Sequence, residues 1–350
     1  MKHAAVMLLL LFPGAALAKP PAKANPGAAP PLASVLRVRL LMGVQCVAQA
    51  QGKRDSAATA DAIEAAFDQI ARLDDVLRFS GDPSELRRLN AAAGRERVTC
   101  SADLYDAVDA ALHVADLTGG AYDPSIGPLS TAWDLRGEGR RPSADEIARA
   151  RARVDWHGVV HEPSTRTVRF TREGMALDLD DVARGFALDR IVPLLRSRGI
   201  ARALIGFGGD QLAISSREPW QVTVPSPRDA SSPAIRLALT NAALATVGPP
   251  GDGRVVDGVR YGPVLDPRSG ATLTTPASVT VVSRSATEAR GLAVALLVMG
   301  RQRAAAFAAA NPGFGVLWLE GMSDGIHAWK WNLDAVSEEP DVSVLWMSNP

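Results

Sequence analysis

Residues 177–189 read LDLDDVARGFALD, with four aspartates (Asp178, Asp180, Asp181 and Asp189) among mostly apolar neighbours. Carboxylates at this density can ligate a hard divalent cation. They can also cap a helix start, where free backbone N–H groups equally suit an anion such as phosphate. A third possibility is a site that has stopped binding anything. Asp180 or Asp181 is the expected N-cap of the helix that follows. GFGGD at 206–210 is a second candidate, because glycine lets a backbone approach a ligand closely; a tight turn needs the same residues. It does not have the G-x-G-x-x-G spacing at a helix start, which excludes a Rossmann dinucleotide site. The five histidines, His3, His113, His157, His161 and His327, are scattered and make no zinc set. His113 reads as a structural helix residue, and His157 and His161 as surface residues flanking a hairpin. G-x-S-x-G, a P-loop lysine motif and H-E-x-x-H are all absent from the sequence.

The elements that position these residues are legible from periodicity. Ile63, Ala66, Phe67, Ile70, Leu73 and Leu77 recur at helical spacing across 58–77. Ser84 opens a short helix to about Asn90. Residues 101–120 make an amphipathic helix with Ser101 as N-cap and Gly119–Gly120 as the stop. Residues 35–52 have strand character, with a tight turn expected near Gly52. The segment 121–135 is dense in turn formers and reads as a loop carrying Tyr122, Ile126 and Trp133. A helix from Ser143, a hairpin over 159–170, and a helix from the aspartate cluster to about Arg198 follow. Strand, Gly-Gly turn and strand occupy 200–215; a strand at 278–283 precedes a helix over 286–300. Strands and helices intersperse without regular βαβ spacing, so the expected class is α+β, not a doubly wound sheet.

Equal numbers of basic and acidic residues (38 each) leave no polyanion-binding surface, so a nucleic-acid partner is not expected. The apolar share of 47% is that of a globular chain. Residues 1–18 combine a basic start, an apolar core and a small-x-small ALA, the pattern of a cleaved signal peptide. Residues 19–34 are rich in proline and alanine and read as a linker, leaving 35–340 as the folded domain. No later segment is long and apolar enough for a transmembrane span. Cys46 and Cys100 either pair in an oxidising compartment or sit as small buried side chains, and the second reading is favoured.

Taken in order, MGVQC, SELRRLN, TGGAYDPSIGPLSTAWDL, DLDDVARGFALD, GFGGD, ATVG, VLDPRSG and ATEARGLAVALLVMG resemble the ApbE-like FAD:protein FMN transferase family over about residues 38–335. The resemblance implies two lobes with a flavin-binding cleft between them and FAD as the ligand. It also implies a periplasmic location and transfer of FMN to a Thr or Ser hydroxyl of a periplasmic or membrane redox protein. It makes Met42, Tyr122, Asp123, Asp178, Arg184, Gly208, Gly209, Asp210, Thr246, Gly248 and Asp266 the FAD-binding set, with Asp266 and Arg184 carrying catalytic roles. The family holds Mg²⁺ through a backbone carbonyl, here that of Ala183, and through an Asp and a Thr one helical turn apart. Those two positions are Arg290 and Val294 in this chain. A guanidinium repels a cation and valine offers no oxygen, which argues against Mg²⁺. The family's Gly-Gly before the helix is Asp180-Asp181, its Lys is Arg184, and its His and Ser positions are Pro263 and Val247. The expected consequence is an ion pair between Arg290 and Asp180 or Asp181 that fills the metal position, giving a catalytically degenerate flavin-binding or accessory protein. A further alternative is a scaffold that binds a protein partner through an exposed 121–133.

Overall fold

The computed structural model describes residues 34–348 apart from 54, 82, 135–136, 216–217, 230, 249–253, 257, 335 and 340–341. The leader and most of the linker lie outside the described residues. Strands β1 (Ser34–Leu41) and β2 (Val44–Gly52) lead into helices α1 (Ser56–Leu77) and α2 (Glu85–Ala91). Then come β3 (Val98–Thr99), α3 (Ala102–Leu117), α4 (Gly127–Trp133), α5 (Ala144–Arg151), β4 (Val159–Glu162) and β5 (Thr167–Phe170). Helix α6 (Asp180–Ser197) returns the chain to β6 (Ile200–Phe207), β7 (Asp210–Ile214), β8 (Trp220–Pro225), β9 (Pro233–Leu239) and β10 (Ala242–Val247). Short strands β11 (Arg254–Val256) and β12 (Val259–Tyr261) precede β13 (Ala277–Ser283), α7 (Ala286–Met299) and α8 (Arg301–Ala310). The chain closes with β14 (Gly315–Met322), β15 (Gly325–Trp331), β16 (Val336–Glu338) and β17 (Val344–Trp346).

Nine strands form one sheet in the order β1-β2-β6-β7-β10-β13-β14-β15-β17, antiparallel except for the last pair. Helices α1, α6 and α7 cover one face. Their buried Phe67, Ile70, Leu188, Ile191 and Leu292 share a core with Ala48, Ile205 and Val279 of the sheet. A three-stranded sheet, β16-β9-β8, covers part of the other face through Ile235, Leu237 and Val222 against Leu244, Leu317 and Leu319. Helices and sheets are thus mixed as the α+β reading requires.

Local signals explain the helices. Asp55, Ser84, Ser101, Ser143 and Ser285 each accept a backbone N–H at their helix start, and Ser143 completes a capping box with Glu146. Gly119 and Gly120 stop α3 with φ of 58° and 75°. Three expectations fail. The tight turn falls at Met42–Gly43, not near Gly52, whose φ stays ordinary; Met42 and Gly43 have φ of 44° and 75°. Residues 121–134 are no exposed loop: Gly127 and Pro128 start α4, proline being well tolerated in a first turn. Tyr122, Asp123, Ser125, Leu129 and Trp133 are buried, which removes 121–133 as a partner-binding surface. Neither Asp180 nor Asp181 is the N-cap of α6. Leu179 occupies that place, and Asp178 accepts the Asp180 N–H at 3.1 Å from one residue further out.

Cys46 and Cys100 are both free and buried, as the second reading of them expected. Burial pushes the Cys46 thiol up to about 12, and burial together with Glu85 pushes Cys100 up to about 11. Both thiols therefore stay protonated at mildly alkaline pH. A chromogenic disulfide reagent at pH 8 is expected to label neither cysteine in the folded protein and both after denaturation; fast labelling of Cys46 without denaturant would contradict this packing.

Candidate functional site

The register of the main sheet brings several candidate residues to one end. Cys46 pairs with Phe207, and Phe207 with Asp210, so the β1–β2 turn lies beside the β6–β7 turn. A Cβ placed on Gly208 would lie 3.5 Å from Arg184 Nε and 3.7 Å from Val44 Cγ2. That places Arg184 of α6 and the residue following the Met42–Gly43 turn against the same glycine. Met42 holds its positive φ without being glycine or asparagine, a strain of roughly 1–3 kcal/mol that sequence rules do not anticipate. Gly209 is needed for close approach, since a Cβ there would come within 2.8 Å of the Thr246 carbonyl. Gly248 has φ of 77°, and a Cβ there would come within 2.6 Å of the Ala277 carbonyl oxygen.

Asp210 is the electrostatic centre of this end. Its side chain is 1% exposed, with Arg290 Nη1 at 3.4 Å from Oδ1 and Arg184 Nε at 3.6 Å from Oδ2. Arg290 also donates from Nη1 to the Thr246 carbonyl at 3.3 Å and from Nε to the Asp181 carbonyl at 3.2 Å. The expected ion pair of Arg290 with the Asp180 or Asp181 side chain is therefore corrected. Arg290 takes the Asp181 backbone and the Asp210 carboxylate, because α7 runs past the start of α6 at a distance that Gly185 and Gly291 permit. A Cβ on Gly185 would collide with the Ala286 carbonyl, and one on Gly291 would press on Val114 and Val182. Burial, and then the charge of Arg290, pull the Arg184 guanidinium below its ordinary pKa, while Asp210, Asp181 and Asp180 pull it back up.

Three buried polar atoms here have no hydrogen-bond partner among the described residues: Arg184 Nε, Asp210 Oδ2 and the Tyr122 hydroxyl. Burial, then Asp181, Asp178, Asp123 and Asp180, raise the Tyr122 phenol well above its usual range. The Asp178 N–H donates to the Pro124 carbonyl at 2.8 Å, which brings the segment carrying Tyr122 against the chain entering α6. Unpartnered buried groups at a glycine-lined strand end fit a polar ligand that would complete them.

Other expected residues build the surroundings. Asp123 accepts from the Ser125 N–H and hydroxyl at 2.8 and 2.6 Å and from the Trp156 N–H at 3.3 Å, so its carboxylate shapes the chain before α4. Asp178 receives Asp180 as above. Thr246 Oγ1 meets Thr280 Oγ1 at 2.9 Å. Among the described residues no hydrogen bond or ion pair joins Asp266 to Arg184, whose carboxylate partner is Asp210. Asp266 accepts the Arg268 N–H and Nε at 2.9 and 3.0 Å, while Arg268 Nη2 reaches the Val298 carbonyl. Sequence reasoning missed Asn90. Its amide donates to the Leu177 carbonyl and accepts the Leu177 N–H, both at 2.8 Å, and so fixes the strand leading into the aspartate cluster. Its place at the end of SELRRLN was the available signal. It singled out Asp189 within the aspartate cluster but not its role, which is to anchor the start of α7 through Ala286 and Thr287. A cavity of ≈ 560 Å³ beside Asp189 and Arg190 is separate from this end. Asp189 is engaged by α7, and Arg190 by Asp103 and Asp106.

Magnesium does not suit these residues. The carbonyl facing the α7 position is that of Asp181, two residues before Ala183, and it is already bonded to Arg290. Val294 is buried in the main core and has no ligand atom. Among the described residues no group of three or more His, Cys, Asp or Glu side chains could hold a metal ion.

Comparison with known proteins agrees with the geometry. The ApbE family profile matches residues 42–318. The FAD:protein FMN transferase of Treponema pallidum is 30% identical over 302 residues, covering 81% of this chain and 83% of that protein. That of Vibrio cholerae is 31% identical over 250 residues, covering 69% and 74%. In structure, the ApbE protein of Thermotoga maritima superposes with a TM-score of 0.76 at 26% identity, over 88% of this chain and 97% of that one. The V. cholerae flavin transferase ApbE superposes at 0.72 and 26%, over 86% and 98%. With this profile, these relatives and this architecture in agreement, the chain belongs to the ApbE family.

Proposed function

We propose that this chain is an exported FAD-binding protein of the FAD:protein FMN transferase type. FAD lies in a cleft between two lobes, its diphosphate against Arg184, Arg290, Gly208 and Gly209. FMN passes to a Thr or Ser hydroxyl of a periplasmic or membrane redox protein. In that step the hydroxyl oxygen forms a bond to the FMN phosphorus, the bond from that phosphorus to the AMP oxygen breaks, and AMP leaves. The observation that carries this reading is the pair of guanidiniums, both within 3.6 Å of one buried carboxylate, at a glycine-lined strand end with unpartnered polar atoms. Paired arginines are the usual protein partners of phosphate oxygens. The leader-like residues 1–18 support export, and the relatives' names support FAD as substrate.

A second reading is favoured by Asp180 and Asp181. They stand where the family has glycines, and their charges oppose an incoming diphosphate. On that reading the protein keeps FAD and has lost transfer, serving as a flavin-binding accessory protein. Incubating the mature chain with FAD and a Thr-containing acceptor protein, while following FAD fluorescence and AMP release, separates the two. Binding with AMP release supports transfer. Binding without AMP release, in EDTA and in Mg²⁺ alike, supports the accessory role. Absence of FAD binding contradicts both.

A further inference from the structure

We propose that Arg290 is a resident cation: its guanidinium fills an oxygen-lined seat that would otherwise accept a divalent ion, so the site takes a nucleotide diphosphate without metal. The seat is visible in the partners of this one side chain. The Asp181 carbonyl, the Thr246 carbonyl and the Asp210 carboxylate come from α6, β10 and β7, and all converge on the Arg290 guanidinium within 3.4 Å. Carbonyl and carboxylate oxygens drawn from three elements are the donor chemistry of a hard cation. An ordinary surface ion pair would not recruit two main-chain carbonyls, one ending a strand and the other opening a helix. The Arg290 side chain is 13% exposed and the Asp210 side chain 1%, so the charge is held in place and little screened. A second guanidinium, Arg184, lies on the other carboxylate oxygen. Two guanidiniums therefore hold one buried carboxylate between them at the glycine turn. The charges of Asp180 and Asp181 also act on Arg184 from the α6 start, whereas Asp181 meets Arg290 through its main-chain carbonyl.

The metal half of this inference stands on the seat alone, and the nucleotide half rests on the FAD reading above. The experiment is a Mn²⁺ titration, followed by electron paramagnetic resonance, of the wild-type chain and of Arg290→Asp combined with Val294→Thr. The double variant replaces the guanidinium with an acid and puts a hydroxyl one turn further along the same face of α7. Wild type is expected to leave Mn²⁺ free, and the double variant to bind it at least about tenfold more tightly. Arg290→Lys keeps a positive charge in the seat and is expected to leave Mn²⁺ free as well. Circular dichroism checks that each variant is folded. If the acidic variant does not fold, Arg290→Gln with Val294→Thr removes the charge at nearly constant volume and takes its place, with the same gain expected. Mn²⁺ binding by wild type, or no gain in a folded charge-removed variant, overturns the proposal. FAD fluorescence on the same samples decides the nucleotide half. FAD binding indifferent to Mg²⁺ in wild type and Mg²⁺-dependent in the double variant is the expected pattern. If neither binds FAD, the functional reading falls while the Mn²⁺ result still decides the resident-cation inference.

Discussion

Asp210→Ala is expected to destabilise the protein by about 3–5 kcal/mol, the usual cost of removing one partner from a buried ion pair. Asp210 is the acid that Arg184 and Arg290 share, at 3.6 and 3.4 Å, and its side chain is almost entirely out of water. Without it two neighbouring guanidiniums repel each other in a site with little solvent to screen them. Asp210→Asn keeps the shape and some hydrogen bonding but loses the charge, so it should fall between wild type and alanine. Urea denaturation followed by tryptophan fluorescence gives the values. Inorganic pyrophosphate should recover part of the loss in the alanine variant, because an anion would then sit between the arginines. A loss for Asp210→Ala below about 1 kcal/mol would place the arginines in water, as for an exposed pair, and contradict the buried cluster.

Asp189→Ala is expected to cost about 2–4 kcal/mol. This carboxylate accepts the Ala286 and Thr287 N–H groups at 2.7 and 3.0 Å and the Ser285 and Thr287 hydroxyls at 2.7 and 2.6 Å. A lost helix cap accounts for up to about 2 kcal/mol, and charge-assisted hydrogen bonds for about 1.5–3 kcal/mol each before the partners find water. The consequence reaches the site, since Arg290 lies in the second turn of α7, just beyond the residues Asp189 holds. Hydrogen exchange should therefore quicken in the first turns of α7 before it does in α1 or α3. Asn at this position restores only part of the loss, because one carboxylate here serves four donors.

The sequence disclosed the local structure well and the long-range pairing poorly. Helix α1 was legible from periodic apolar residues, and α3 and α7 because a serine cap and a terminal glycine agree with that periodicity. Helix α4 was hidden by the turn formers in YDPSIGP; a proline that breaks a helix interior is compatible with its first turn. The Met42–Gly43 turn was hidden because methionine at positive φ contradicts turn propensities. Of the site, the Gly208–Gly209 turn, Arg184, Asp210 and Arg290 were all singled out from motifs. Their mutual arrangement was not: Arg290 was assigned to acids near the α6 start, whereas its carboxylate partner lies 80 residues away on β7. Side-chain periodicity reports which face a residue occupies, not which strand end it meets. Asn90, and the role of Asp189, were passed over for the same reason, since both act across large sequence separations, on Leu177 and on the α7 start.

The proposal at the centre of this account is that fixed guanidinium charge stands at the position where the family resemblance implies a divalent ion. Its most direct test is the dissociation constant of FAD for the mature wild-type chain, measured by fluorescence in EDTA and again in millimolar Mg²⁺. The account predicts binding in EDTA and no more than about a twofold change on adding Mg²⁺, below the tenfold that 1.4 kcal/mol would produce. Binding that appears only with Mg²⁺, or tightens tenfold or more on its addition, would contradict it and mean that a metal site has been rebuilt from other residues.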